Sequence, residues 1–114
     1  MKKGVLERFK NHLPLTDKTP IFTLGEGDTP LVKSRSIGSI VGCDQLYFKL
    51  EGCNPSGSFK DRGMVLAVAK AIEEGGTSIV CASTGNTSAS AAAYGAYCGL
   101  PTTCLLYTSP SPRD

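Results

Sequence analysis

The feature that most constrains this sequence is a pattern that occurs twice: a strand-like run, a loop of small polar residues, then a helix. Both loops are rich in Gly, Ser and Asn, and the second apolar run is β-branched, as in a buried parallel strand. Such alternation predicts an α/β domain with a mainly parallel sheet and flanking helices. The predicted elements are, in chain order, a short helix over Val5–Leu13, a strand over Leu46–Glu51, a helix from Ser58 to Glu74, a strand over Ser78–Ala82, a helix over Thr87–Cys98 and a strand from Leu100 to Thr103.

Length and charge exclude several classes of protein. The chain has 114 residues, enough for one domain at most, and its 40% hydrophobic and 19% charged residues are typical of a soluble globular fold. A net charge of +2 gives no reason to expect a nucleic-acid or anionic-lipid partner. No apolar run approaches the roughly 20 residues that a membrane span needs. We therefore expect neither a nucleic-acid partner nor a membrane one.

The cysteines indicate a reducing compartment. There are five, an odd number, and none forms a CxxC pair. Lys2 and Lys3 lead into a charged amphipathic segment rather than an apolar leader. We expect buried free thiols and a cytoplasmic protein. With a single histidine, His12, which we expect to be exposed, the chain offers no zinc site and no catalytic triad, so no metal is predicted.

The two loops are candidate binding sites because each precedes a helix at the carboxyl end of a strand. In open α/β sheets ligands bind in that crevice, and unpaired backbone N–H groups at a helix N-terminus favour a carboxylate or phosphate. The first loop covers residues 54–60 and the second covers residues 83–87. Ser58 and Asp61 fit a capping box at the start of the first helix. Tyr94 and Tyr97, on the second helix, are expected in the core.

Lys60 is the residue that most needs an explanation. A cation in the first helical turn opposes the helix dipole, so local electrostatics do not favour it there. One interpretation is a solvated lysine that the position merely tolerates. The other is an amine that forms a Schiff base, whose neutral form the positive helix end favours. Phe59 beside it is either a core residue or a wall that packs on a planar cofactor.

Three ordered motifs give a specific resemblance. Thr23–Leu31 (TLGEGDTPL), Lys49–Gly63 (KLEGCNPSGSFKDRG) and Ala82–Ser90 (ASTGNTSAS) resemble the threonine synthases, a branch of the tryptophan synthase β-like family of pyridoxal-phosphate enzymes with fold type II. The resemblance covers essentially residues 5–103. It implies that Lys60 carries the cofactor and shuttles protons, with Phe59 beside the cofactor and Asn86 bonded to the pyridoxal hydroxyl. It also implies a grip on the substrate carboxylate by Ser83, Thr84, Asn86 and Thr87.

The implied reaction converts O-phosphohomoserine and water to threonine and phosphate, in an enzyme that is a homodimer. A sister lyase of the same family, such as a cysteate synthase, a threonine dehydratase or a cysteine synthase, is an alternative. A non-catalytic anion-binding module that uses only the two helix N-termini is another. In the family, the glycine-rich loop for the cofactor phosphate comes later in the chain, so we expect these 114 residues to be catalytically inactive alone.

The last eleven residues change in character. Residues 104–114 (CLLYTSPSPRD) break off an expected strand and become a Ser-Pro repeat. One interpretation is a flexible Pro-rich tail. The other, which we favour, is translated adapter sequence from a sequencing library, which leaves residues 1–103 as the N-terminal part of a catalytic domain. A sheet cut at that point should not fold stably by itself.

Overall fold

The computed structural model describes residues 2–106, and its secondary structure follows the predicted α/β order. The predicted tail over residues 107–114 lies outside the described residues. Among the described helices, none combines the length and the hydropathy needed to cross a membrane. The elements are α1 (Val5–Arg8), a 3-10 turn (Lys10–His12), β1 (Leu31–Lys33), α2 (Ile37–Ile40), β2 (Tyr47–Lys49), a 3-10 turn (Glu51–Cys53), α3 (Lys60–Glu73), β3 (Ile79–Ala82), α4 (Asn86–Tyr97) and β4 (Thr102–Leu105).

The parallel pairing predicted for the second half of the chain is confirmed. β3 and β4 are hydrogen-bonded in parallel, from Ile79 opposite Thr102 to Ala82 opposite Leu105, with α4 as the crossover. The strand includes Cys104 and Leu105, two residues beyond the predicted boundary at 103. β2 does not join this pair. It forms a separate antiparallel sheet with β1, in which Val32 lies opposite Phe48.

The core lies between the helices rather than around the strands. α3 packs on α4, and α1 closes over α3. Tyr94 and Val65 are fully buried at the centre, as is Leu6 from α1. The remaining buried apolar residues are Val5, Val68, Ala69 and Ala91. All of these buried apolar residues lie on the three helices, and partly buried side chains such as Phe22 and Ile79 pack against them.

Several apolar side chains expected to be buried are exposed. Val80 is 67% exposed, because β3 packs on α4 through one face and its other face is uncovered by the described residues. The expectation of β3 as a strand buried on both faces is therefore wrong. Tyr94 is in the core as predicted, but Tyr97 is 59% exposed and stacks on Phe22. The two tyrosines lie three residues apart on α4, Tyr94 on the face that packs in the core and Tyr97 at the edge of that face.

The expectation of buried thiols is only partly met. Cys43 and Cys53 are exposed, because each lies in a connecting turn rather than in a packed element. Cys81, Cys98 and Cys104 are half-buried, and burial raises the pKa of Cys98. All five thiols are free.

A buried carboxylate joins the N-terminus to α4. Glu26 is fully buried and accepts hydrogen bonds from the Val5 amide (2.9 Å), the Thr23 hydroxyl (2.7 Å) and the Tyr94 hydroxyl (2.7 Å). Burial raises the pKa of Glu26, but these bonds and one from the Leu24 amide outweigh it and hold the pKa below its usual value. Burial and the bond to Glu26 raise the pKa of Tyr94. Glu26 thus holds α1, the first motif and α4 together.

Replacing Tyr94 with Phe should destabilise the full-length protein that carries this segment by about 1.5–3 kcal/mol, since a buried carboxylate loses a donor. The matched control is Tyr97→Phe, whose exposed hydroxyl has no hydrogen-bond partner among residues 2–106. Urea unfolding of both variants measures the difference. Equal stability losses in the two variants would contradict the role assigned to Glu26.

We expect the isolated 114-residue chain to unfold without a cooperative transition. Its radius of gyration is 17.2 Å, against about 13 Å for a compact domain of this length, and large apolar side chains such as Ile40 and Leu31 are exposed. Differential scanning calorimetry together with binding of a hydrophobic dye measures this directly. A single sharp heat-absorption peak and no dye binding would show that the segment is a stable domain.

Candidate functional site

Lys60 is the first residue of α3, as its place in the second motif predicts. Its side chain is half-buried, and it makes no hydrogen bond or ion pair within the described part of the chain. Its Nζ lies 4.7 Å from the centre of the Phe59 ring, in cation–π contact. Phe59 is 56% exposed, so it is not a core residue and its ring is available to a ligand. An unpaired amine beside an open aromatic face is what a Schiff-base lysine and a planar cofactor would need.

The second loop leads into α4, which begins at Asn86 and has Gly85 at its N-cap. No side chain caps this helix, and the first amide bonded back to the loop is that of Ala89, to the Gly85 carbonyl (3.1 Å). The first-turn amides of residues 86–88 therefore face outward as unpaired donors, which suits an anion. The Ser83 hydroxyl accepts from the Gly85 amide (3.2 Å) and shapes the turn.

The four predicted carboxylate-binding residues lie on this one turn. Thr84 and Asn86 are exposed, while Ser83 and Thr87 are half-buried. The Ser88 hydroxyl donates to the Ser83 carbonyl (2.5 Å), which ties the loop to the first turn of α4. The turn thus combines backbone donors, hydroxyls and an amide side chain at the carboxyl end of β3. That set of groups can bind a carboxylate.

Asp61 joins the two loops. Its carboxylate accepts hydrogen bonds from the Ser56 amide (2.7 Å), from the Ser56 hydroxyl and from the Ser90 hydroxyl (2.6 Å). The predicted capping box is therefore wrong: Ser58 accepts from the Lys60 amide (3.2 Å) instead, and Asp61 turns away from Ser58. No local sequence signal indicates this, because Ser90 is 29 residues away along the chain.

The position of Ser90 also shows where Asn86 on α4 lies relative to Lys60 on α3. Residues four apart lie on the same helix face, so Asn86 shares with Ser90 the side of α4 that faces Asp61, one turn nearer the N-terminus. Lys60 directly precedes Asp61 on α3. The structure therefore places the start of α3 beside the start of α4, with the predicted cofactor-binding residues on both.

A second polar cluster anchors the first motif to the second. The Arg62 guanidinium donates to both oxygens of Glu51 (2.6 and 3.0 Å), and the Thr29 hydroxyl donates to Glu51 as well (2.7 Å). Asn54 accepts from the Gly27 amide (2.9 Å) and donates to Glu51 (3.1 Å). Arg62 is half-buried rather than a solvated surface charge. Its bidentate contact makes it part of the frame that holds Lys60.

The uncapped turn of α4 lies where the parallel strand β3 ends, which is where open α/β sheets bind anionic ligands. A comparison with protein-family models makes the class definite. The model described as pyridoxal-phosphate dependent enzyme matches residues 22–113. The chain belongs to this family of pyridoxal-phosphate dependent enzymes, which confirms the resemblance and the expected cofactor.

Curated relatives narrow the likeness to one kind of enzyme. The chain is 59% identical over 98 residues to a threonine synthase of Halalkalibacterium halodurans, covering 86% of this chain and 27% of the relative. It is 59% identical over 100 residues to one from Bacillus sp. strain ULM1 (88% and 28%), and 48% identical over 99 residues to one from Methanosarcina acetivorans (87% and 24%). The chain thus spans about a quarter of the length of these relatives.

The residues present fit pyridoxal phosphate. Lys60 offers an unpaired amine, and the adjacent Phe59 ring offers an apolar face. Asn86 offers an exposed side-chain amide at the first residue of α4. No group of three or more potential metal ligands occurs within residues 2–106. The donors at this site are thus an amine, an amide and hydroxyls.

The Glu51–Arg62 contact should make stability depend on pH in acid. The Arg62 guanidinium, followed by the Thr29 hydroxyl, lowers the pKa of Glu51 from 4.5 to about 2. The pKa of Glu51 is lower in the folded protein than in the unfolded chain. The Glu51–Arg62 contact therefore stabilises the fold fully above pH 4.5, and this stabilisation is lost as the pH falls toward 2. Unfolding free energies of the full-length protein between pH 6 and pH 3 should fall less steeply in Glu51→Gln. Glu7→Gln, an exposed carboxyl without a side-chain contact in the described residues, is the control; equal slopes for the two variants would contradict the assignment.

Proposed function

We propose that this chain is the N-terminal part of a threonine synthase, an enzyme that converts O-phosphohomoserine and water to threonine and phosphate. The observation that supports the proposal is the Asp61–Ser90 hydrogen bond, which joins the first turn of α3, where Lys60 lies, to the second turn of α4. The names of the curated relatives support the choice of reaction within the family. We also propose residues 1–103 as native sequence, in a cytoplasmic, homodimeric enzyme.

Lys60 is the catalytic residue of this proposal. Its Nζ would hold the cofactor covalently and would take up and return protons during the reaction. When bound, pyridoxal phosphate supplies an electron sink for charge that develops on those carbons. Phe59 would pack on the cofactor ring, and the Asn86 side-chain amide would bind the ring hydroxyl.

The turn at the start of α4 binds the substrate carboxylate. The amides of the first turn and the hydroxyls of Ser83, Thr84 and Thr87 surround the two oxygens, and Asn86 lies between substrate and cofactor. These donors are fixed before binding, since Ser83 and Ser88 hold the loop to the helix. Preorganised donors lose little freedom when the ligand binds, which favours affinity. The groups for the substrate phosphate and the cofactor phosphate are contributed by the rest of the enzyme.

Phosphate release from O-phosphohomoserine tests the proposal in the full-length protein. We expect the wild type to release phosphate and form threonine, and borohydride to fix the cofactor on the peptide that contains Lys60. Lys60→Ala should abolish both, a loss of at least about 10³-fold in rate, because the nucleophile and the proton carrier are the same group. Lys18→Ala, an exposed lysine elsewhere, should leave both unchanged.

Two outcomes would redirect the assignment. Cofactor fixed at Lys60 without phosphate release would indicate a sister lyase with another substrate. No fixation at all would indicate a binding module that uses only the helix N-termini. Either result rejects the proposed reaction.

A further inference from the structure

Asp61 is a buried carboxylate without a cationic partner among residues 2–106. It is fully buried, and the described ion pairs are Arg8–Asp28, Arg62–Glu51 and Lys70–Glu73. Burying a carboxylate is costly unless hydrogen bonds replace water. Asp61 receives the bonds from Ser56 and Ser90, so the fold retains a charge where an apolar residue would pack at lower cost.

The position of this carboxylate is the informative feature. It lies one residue after Lys60 and holds three segments that carry the site: the 54–58 loop through Ser56, α3 through its own backbone, and α4 through Ser90. Ser90 is also fully buried, so water does not compete for this bond. The Asp61–Ser90 bond at 2.6 Å is the described side-chain hydrogen bond that directly joins α3 to α4.

We propose that Asp61 and Ser90 are positioning residues, which set the distance between Lys60 on α3 and the ligand-binding turn of α4. The inference rests on the proposed function, since it concerns the same cofactor. Without the bond, the two helices keep their apolar contacts through Val65, Val68 and Tyr94, so the fold persists. The Lys60 amine and the Asn86 amide then no longer hold a fixed separation. A ligand that must contact both pays to order them, and its affinity falls.

The test is cofactor affinity in the full-length enzyme, measured by titration of the apoprotein with pyridoxal phosphate. Ser90→Ala should raise the dissociation constant about tenfold, the equivalent of one hydrogen bond to a charged group. Asp61→Asn should raise it by a similar factor, because an amide NH₂ cannot accept from Ser56. The double variant should lose less affinity than the two single losses added together, because Asp61 and Ser90 are bonded to each other.

Val68→Ala is the control for a purely structural effect. Val68 is buried in the same helix packing but belongs to no polar contact of the site. It should lower the unfolding midpoint and leave the dissociation constant for pyridoxal phosphate unchanged. Ser90→Thr, which keeps the hydroxyl, should restore most of the affinity that Ser90→Ala loses.

The outcomes separate this inference from the proposed function. If the wild type does not fix pyridoxal phosphate on Lys60, the proposed function fails, and the inference with it. If the wild type does so, but Ser90→Ala loses only stability, as Val68→Ala does, the positioning role alone is overturned. Should Asp61→Asn fail to fold, the Ser90 variants still decide the question.

Discussion

The structure depends on one electrostatic requirement: a carboxylate taken out of water must be surrounded by donors. Asp61 meets it with Ser56 and Ser90, and in doing so fixes the start of α3 against α4. The apolar contacts between these helices are non-directional and could be satisfied at several small offsets. The hydrogen bonds cannot be satisfied at several offsets, because an O–H···O⁻ contact weakens steeply with distance and angle. The relative position of the two candidate binding loops therefore follows from polar contacts, while the packing energy follows from the core.

The same logic explains why the three motifs contain more than the candidate site residues. Glu26 bonds to Tyr94, and Asn54 bonds to the Gly27 amide, so residues of the first motif are hydrogen-bonded to α4 and to the second motif. Arg62, two residues after Lys60, is fixed by Glu51. Acidic and amide residues in such motifs invite a catalytic interpretation. In this chain they form the frame, and the candidate chemistry is left to a lysine, an asparagine and a turn of small residues.

Local patterns predicted the elements that local forces determine. The amphipathic spacing around Val65 and Val68 located α3, and the β-branched run before the second loop located β3 to within a residue. The local patterns gave wrong predictions where the bonding partner of a residue is distant in sequence. Asp61 was placed in a capping box because Ser58 is close by, yet Ser90 and Ser56 take its carboxylate. β2 was expected with the parallel strands, but it pairs with β1 in a sheet of its own. Tyr97 was expected in the core like Tyr94, but the two side chains leave α4 in different directions, and Tyr97 is exposed.

The sequence by itself determined the order of strands and helices, the family to which the chain belongs, and the candidate roles of Lys60 and Asn86. These follow from residue type, short-range spacing and motif, all of which are local. Only the tertiary structure decided that Asp61 bonds both Ser56 of the first loop and Ser90 of α4, and that Glu26 is a buried anchor rather than a surface charge. The physical reason is that a buried charge selects its donors by proximity in space, and spacing along the chain does not encode that proximity.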